Sequence, residues 1–393
     1  MLTKLKELAS SFFPDHIRRQ IRELYAATTI FNLAVALVNI FEPVFLYLFF
    51  SKFFDLKTTL SLILWFYFII YVLYFFTLPL GAKFAKRFGY EYSIALSTVF
   101  AIALYFFLLN MGVHHFFVFG AIISYVAFKL FYWPAYHSNF ANFSSAGEEG
   151  REISNLLVLG SIVCIAGPFI GGVILQFWGF NALFVLVAIL MLVSNIPMLI
   201  TKEKFESKPF SYLGAYKRLW HRPNRRHFFA HWGFGEELIV LVIWPIFMYI
   251  IARDFLNLGV LAAVSTCITT LILLFIGRQT DKGNRRNVLR AGAVFYFFSW
   301  LLRLLTRGIF GVLILDVYSR VTKEFIAIPI TAVTYEKAQD ESVMKTIMFF
   351  EMSLVVGKIV AIVLGLILLQ FFAPGWNALF ILAGIMTLFY LLF

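Results

Sequence analysis

The sequence is poor in charge and almost free of cysteine. Only 14% of its 393 residues are Asp, Glu, Lys or Arg, whereas soluble domains average about 25%. The two cysteines, Cys164 and Cys267, stand inside apolar runs and cannot build a disulfide framework. Hydrophobic residues make up 61% of the chain, among them 49 Phe, which is more apolar surface than a water-exposed protein can hide. The composition therefore predicts a membrane protein.

Motifs for ATP hydrolysis and for metal catalysis are also missing. No Gly-rich loop is followed by Lys and Ser or Thr, which argues against an ATP-driven pump. The adjacent His114 and His115 are the most conspicuous catalytic candidates, but no carboxylate or cysteine stands near them at a metal-ligand spacing. A soluble sensory domain is absent too, which argues against a receptor. We therefore predict no enzyme activity, no cofactor and no metal.

Twelve apolar runs are long enough to cross a bilayer, which takes about 20 residues. They cover residues 24–50, 58–80, 93–110, 115–136, 154–175, 180–200, 228–252, 258–276, 290–305, 308–331, 346–369 and 377–393. Residues 1–23 lack the apolar core of a removable signal sequence, and their spacing predicts an amphipathic helix on the membrane surface. The basic linker 201–227 divides the spans into an N-terminal half, 24–200, and a C-terminal half, 228–393.

Most of the basic residues that give the chain its net charge of +12 lie in the loops between the predicted spans. With the N-terminus in the cytoplasm, 24 of the 33 Lys and Arg fall in loops on the inner side. Five are assigned to the outer side, namely Lys52, Lys57, Arg253, Arg303 and Arg307. Cytoplasmic loops of membrane proteins carry such an excess. The pattern predicts an inner-membrane protein with both termini in the cytoplasm, and it gives no reason to expect a nucleic-acid partner.

The two halves repeat each other. The hexapeptide at 179–184, Gly-Phe-Asn-Ala-Leu-Phe, returns as Gly-Trp-Asn-Ala-Leu-Phe at 375–380, 196 residues later. Gly81 and Gly277, both assigned to loops, share that offset. We predict an all-α membrane protein of twelve transmembrane helices in two parallel six-helix repeats, with a solute site near the midplane between them.

Ten charged residues fall inside the predicted spans, where each costs roughly 2.5–3.5 kcal/mol at a helix centre. Eight of them lie on spans 1, 4, 7 and 10, and such polar positions cannot face lipid. The predicted substrate or coupling residues are Glu42, Asn39, Lys129, Trp133, Glu236, Asp316, Arg320 and Glu324. Glu42, inside span 1, is the first candidate for a proton carrier, because a carboxylate that is buried can hold a proton near neutral pH.

Structural roles remain open for several of these charges. Asp316–Arg320 and Arg320–Glu324 are four residues apart and can neutralise each other as helix ion pairs. Glu236 and its neighbour Glu237 stand near the cytoplasmic end of span 7, where one of them can reach water. On span 11, Glu351 and Lys358 are seven residues apart and are expected to act as packing partners.

The loops after spans 2 and 8 carry a recognisable pattern. Residues 277–286 read Gly-Arg-Gln-Thr-Asp-Lys-Gly-Asn-Arg-Arg, whereas residues 81–89 lack both the acid and the closing basic pair. With twelve spans in parallel halves, this pattern resembles the major facilitator superfamily, whose signature loop reads roughly Gly-x-x-x-Asp-Arg/Lys-x-Gly-Arg-Arg. The resemblance implies that Asp281 meets the start of span 5 near Arg151. It also implies gating roles for Gly277, Asp281, Arg285, Arg286, Lys86 and Arg87.

Span 5 contains Gly160 and then Gly167-Pro168-Phe169-Ile170-Gly171-Gly172, which resembles the glycine-proline helix element of the same family. We expect a helix bend at Gly167 and Pro168, because proline leaves a carbonyl without its helical partner.

The resemblance implies a secondary transporter, a symporter or an antiporter, that works by alternating access. We expect a small polar or charged solute as substrate, with protons as a candidate coupling ion, membrane lipid as surroundings and a monomeric state. A lipid or drug exporter, or a flippase, on the same fold is the alternative.

Overall fold

The computed structural model describes residues 19–143, 150–200, 210–280, 285–340, 342–372 and 375–393. Throughout these ranges the ordered backbone is helical, without a strand. The N-terminal part forms α1 Arg19–Val38, α2 Glu42–Phe50, α3 Leu56–Phe88, α4 Tyr90–Asn110, α5 Phe116–Phe143 and α6 Gly150–Ile200. The remainder forms α7 Tyr212–Trp220, α8 Arg225–Ala230, α9 Glu236–Leu238, α10 Trp244–Ala252, α11 Phe255–Thr280, α12 Arg285–Arg303, α13 Gly308–Asp340, α14 Val343–Phe371 and α15 Trp376–Thr387.

Eight helical segments of the described chain are long and apolar enough to cross a membrane. They are Ala26–Phe50, Leu56–Phe88, Tyr90–Asn110, Phe116–Asn139, Gly160–Pro197, Arg222–Ala252, Phe255–Leu273 and Val343–Phe371. Charged residues interrupt the apolar sequence of helices α12 and α13, although both helices are continuous. The last apolar helix, Trp376–Leu392, is shorter than a full span. The chain is an integral membrane protein built from helices.

The first predicted span consists of two helices. Helix α1 ends at Val38, and α2 begins at Glu42 with Pro43 in its first turn. Proline has no N–H for the helical bond to the carbonyl four residues earlier, so it favours the start of a new helix. The break therefore places Glu42 at the buried beginning of α2, where its carboxylate faces other helices.

The fifth and sixth predicted spans form one helical run, α6. Its backbone stays helical through Pro168, and the break falls at Gly179, where φ is 74°. A positive φ is costly for residues with a Cβ, so glycine suits this position. The described backbone thus breaks at Gly179 rather than at the proline.

The glycines assigned to loops lie in helices. Gly81 belongs to α3 and Gly277 to α11, so the predicted loop positions are wrong. A Cβ on Gly81 would stand 2.0 Å from the carbonyl oxygen of Leu130 in α5. Gly81 therefore permits a close helix contact, and the chain turns at Gly89, where φ is 111°.

The N-terminal and C-terminal helices meet along a seam, formed where α6 packs on α11 and α3 packs on α14. A Cβ on Gly259 of α11 would stand 2.4 Å from the carbonyl oxygen of Pro168 in α6. Small residues let two backbones approach closely, which is the usual basis of helix packing in membranes.

The described part of the linker contains a helix, α7, that packs on α3 and α14. Tyr216 of α7 donates a hydrogen bond to the carbonyl of Phe75 at 3.1 Å, and Tyr212 donates to the carbonyl of Phe76 at 2.7 Å. Pro79 has no N–H for the Phe75 carbonyl, so Tyr216 satisfies an oxygen that the helix leaves unpaired. We call this side of the bundle the linker end.

Candidate functional site

Four ionised side chains from three helices form one group, the Glu–Lys cluster, made of Glu236, Glu237, Lys323 and Lys358. Lys323 forms ion pairs with both carboxylates. Lys358 binds Glu237 with an Nζ–Oε2 distance of 2.9 Å. The Glu236 side chain is 0% exposed, whereas that of Glu237 is 23% exposed, so Glu237 is the one of the two that keeps contact with the surroundings. Two acids and two bases balance the charge of the cluster.

Two tyrosine hydroxyls donate the remaining hydrogen bonds to the Glu236 carboxylate. The hydroxyl of Tyr296 on α12 donates to Glu236 Oε2 at 2.6 Å. The hydroxyl of Tyr390 accepts from Lys323 Nζ at 2.8 Å and donates to Glu236 Oε1 at 3.4 Å. Buried ion pairs are tolerated when hydrogen bonds satisfy the remaining lone pairs. Neither tyrosine could be predicted as a site residue from the sequence, because no charge pattern marks them.

Asp316 on α13 is held by three donors from three helices. It accepts from Trp244 Nε1 at 2.8 Å, from Ser265 Oγ at 2.5 Å and from Arg320 Nε at 2.7 Å. The Asp316–Arg320 ion pair forms as predicted. The Arg320 side chain keeps 40% of its surface exposed, so it remains accessible. Among the described contacts Glu324 pairs with no cation, and the expected Arg320–Glu324 pair does not form.

Arg303 on α12 is a further buried cation, so the prediction that it lies in an external loop is wrong. Its side chain lies between two indole rings, with the guanidinium carbon 4.1 Å from the Trp244 centroid and 3.8 Å from the Trp300 centroid. Arg303 also donates to Ser319 Oγ at 2.6 Å. Only 1% of the residue is exposed. A planar guanidinium stacks on aromatic faces in this way.

The N-terminal helices contribute a separate acid and base. Buried Glu42 accepts from the Tyr67 hydroxyl at 3.3 Å. Lys129 Nζ lies over the rings of Tyr71 and Tyr125, at 5.3 and 5.1 Å from their centroids. In the part of the chain that the structure describes, neither residue has an oppositely charged group within ion-pair distance. Both therefore keep capacity for a further partner.

Tyr71 joins the two sets of charges across the seam. Its ring lies 5.3 Å from Lys129 Nζ on the N-terminal side and 5.6 Å from Lys358 Nζ on the C-terminal side. Two ammonium groups from opposite halves thus share one aromatic ring.

Asn39, another predicted substrate or coupling residue, is exposed at the break between α1 and α2.

Residues near the linker end form another polar group. Trp133 stacks on His137 with 5.4 Å between the ring centroids, and His137 Nε2 lies 3.3 Å from Glu351 Oε1. Glu351 and Lys358 form no ion pair with each other among the described contacts. Glu351 contacts His137 of α5 and Lys358 binds Glu237 of α9, so each holds α14 against a different helix.

The candidate gating residues lie on helix ends or outside the described residues. Asp281 is outside them. Arg285 binds Glu336 at 2.6 Å, with 58% and 59% of their side chains exposed, and such surface pairs contribute little stability. Arg87 lies over the Phe88 ring at 5.2 Å. Lys86 is in the last turn of α3, and Arg286 is in the first turn of α12.

The arrangement suits solute binding better than covalent chemistry. It offers charges of both signs and aromatic faces at a seam between two groups of helices. Within the described ranges, no three His, Cys, Asp or Glu side chains come together as a metal site.

Comparison with known proteins identifies the family. The model of the Major Facilitator Superfamily matches residues 24–257, more than half of the chain. The chain belongs to the major facilitator superfamily. Proteins of this superfamily are membrane transporters, so this chain is a transporter and not an enzyme. A search of curated proteins gave no match.

Two solved structures illustrate the fold of this superfamily member. A mutant of the peptide transporter POT in complex with alafosfalin has a TM-score of 0.65 at 12% identity, covering 98% of this chain and 97% of that one. A POT family transporter in complex with 5-aminolevulinic acid has a TM-score of 0.65 at 13% identity, covering 96% of each chain. At this identity the likeness establishes the fold.

Proposed function

We propose that this protein is a secondary active transporter that moves a small polar or charged solute across the cytoplasmic membrane by alternating access. The observation that carries the proposal is the placement of Lys129 and Lys358, from opposite halves, against the one ring of Tyr71. A solute bound at this point would contact both halves at once. Rocking of the halves around such a site is how repeat-based transporters expose it alternately to each side.

The same proposal divides the chain into two six-helix halves, 24–200 and 228–393, joined by the linker 201–227 and preceded by a surface segment, 1–23. Helix α6 supplies two of the twelve spans, because its 38-residue apolar segment is about 57 Å long, nearly twice the hydrocarbon thickness of about 30 Å. Helices α12 and α13 supply two more, since Arg303 and Asp316 are bonded inside the bundle. The basic linker supports a cytoplasmic location for the linker end and for both termini.

Accessible charges suggest which solutes to test first. Lys129 lies against two aromatic rings and forms no ion pair among the described residues, and Arg320 presents the unpaired part of its guanidinium to the surroundings. These two cations favour a solute with an anionic group, while Glu237 of the Glu–Lys cluster is partly exposed and suits a cationic group. Alafosfalin and 5-aminolevulinic acid, the ligands of the two similar structures, are the first probes.

Glu42 is the proposed proton carrier of a coupled cycle. Its carboxylate is buried beside the hydroxyls of Tyr67 and Tyr125, and Lys129 lies close enough to interact with it electrostatically. A bound anion near Lys129 would change the field at Glu42. This arrangement supports linkage between protonation and solute binding.

Transport in proteoliposomes tests the proposal. Uptake of the radiolabelled probes is compared for wild type, Lys129→Ala and Lys83→Ala, the last an exposed lysine that serves as the matched control. We expect Lys129→Ala to lower uptake at least tenfold and Lys83→Ala to leave it unchanged. Equal uptake by both variants would remove Lys129 from the site. Fluorescent lipid movement in the same vesicles, without solute uptake, would support the flippase alternative instead.

A further inference from the structure

Four side chains near the linker end form a hydrogen-bonded group that we call the His137 cluster. It consists of His137 on α5, Tyr74 on α3, Tyr335 on α13 and Glu351 on α14. His137 Nε2 lies 3.3 Å from Glu351 Oε1, and His137 Nδ1 lies 2.9 Å from the Tyr335 hydroxyl. The Tyr74 hydroxyl donates to Glu351 Oε2 at 3.2 Å.

Every one of these bonds crosses the seam. His137 and Tyr74 belong to the N-terminal helices, whereas Glu351 and Tyr335 belong to the C-terminal ones. By contrast, the Glu–Lys cluster draws all its members from α9, α13 and α14. The halves cannot separate at this end without exposing the Glu351 carboxylate, whose side chain is 5% exposed.

We infer that the His137 cluster is the latch that keeps the linker end of the seam closed and that it must come apart each time the transporter opens there. The inference rests on the proposed alternating-access function. A hydrogen bond to a charged group contributes about 1.5–3 kcal/mol. Loss of His137 therefore shifts the closed–open balance about tenfold or more, because 1.4 kcal/mol corresponds to a factor of ten.

The latch and the solute site share two helices. On α14, Glu351 is two turns from Lys358, and on α3, Tyr74 is about one turn from Tyr71. A helix turn is a short rigid spacer. A solute that moves Lys358 or Tyr71 therefore also moves the partners of His137, which gives a physical route from binding to opening.

The bonding pattern holds for both protonation states of the imidazole. In the neutral ring, Nε2–H donates to Glu351 while Nδ1 accepts from the Tyr335 hydroxyl, and in the charged ring both nitrogens donate. Glutamine at position 137 can still donate to Glu351, whereas phenylalanine can only stack on Trp133. Comparing these two substitutions separates the hydrogen bond from the ring packing.

Spin-label distances test the latch without any solute. Labels are placed at Phe88→Cys and Asn287→Cys, exposed positions near the linker end on opposite halves, in a Cys164→Ser/Cys267→Ser background reconstituted into liposomes. We expect His137→Phe to raise the population with the long 88–287 distance about tenfold and His137→Gln to raise it less. His115→Phe, an exposed histidine at the opposite end, is the control and leaves the distances unchanged.

The outcomes are separable. A distance distribution of His137→Phe equal to that of the His115→Phe control overturns the latch, even where solute uptake is found. A shifted distribution without uptake of any probe supports the latch and counts against the proposed transport activity. Thermal unfolding confirms that each variant is folded. Tyr335→Phe, which removes a single hydroxyl, gives the same comparison should His137→Phe fail to fold.

Discussion

The Glu–Lys cluster predicts how stability responds when one charge is removed from a buried group. Lys323 is the cation that contacts the fully buried Glu236, and the other described partners of that carboxylate are hydroxyls of Tyr296 and Tyr390. Lys323→Met keeps the length and the apolar stem of the side chain but leaves Glu236 without a counter-charge. Breaking a buried pair in this way costs about 3–5 kcal/mol.

The unfolding free energy in detergent measures this loss. We expect Lys323→Met to lower it by about 3–5 kcal/mol, whereas Lys345→Met, at an exposed position, should change it by less than about 0.5 kcal/mol. The double variant Lys323→Met/Glu236→Gln should regain more than half of the loss, because the second change removes the stranded charge. A double variant that is no more stable than Lys323→Met would refute the explanation by an unpaired carboxylate.

The remaining predictions concern packing. Arg303→Lys should cost about 1–2 kcal/mol of unfolding free energy, because an ammonium cannot stack between two indoles as a planar guanidinium does; an equal change in exposed Arg307→Lys would contradict this. Gly259→Ala should lower the unfolding free energy by about 1–3 kcal/mol, since its Cβ would meet the carbonyl of Pro168 at 2.4 Å. In the same assay Gly160→Ala, whose Cβ would enter open space within α6, should not lower it, because alanine favours the helix over glycine.

Helix periodicity made one contact of the candidate site readable from the sequence. Asp316 and Arg320 are four residues apart on a single helix, so their pairing follows from local geometry. Contacts between distant helices, such as Lys358 with Glu237 and His137 with Glu351, depend on how the bundle packs. Their spacing in the chain carries no information about that packing.

Some helix boundaries can likewise be predicted from local sequence, whereas others depend on how the helices pack in the bundle. The break before Glu42 follows from the proline that comes next and could have been read from the sequence. Gly81 and Gly277 were assigned to loops because they follow apolar runs, but α3 and α11 continue beyond the apolar part. Apolar length reports the thickness of the hydrocarbon layer, and a helix can extend further into water. Arg303 was misplaced for the opposite reason, since two tryptophan faces compensate a charge at the end of α12.

The two tyrosines of α7 give the linker a role beyond tethering. Their hydroxyls bind carbonyls of α3 beside Pro79, while the same short helix also packs on α14. A fragment that begins at residue 210 would therefore still carry the groups that recognise the other half. We expect two separately made fragments, divided between residues 201 and 209, to associate through these hydrogen bonds. In the intact chain the peptide bond raises the effective concentration of the two halves without being their only connection.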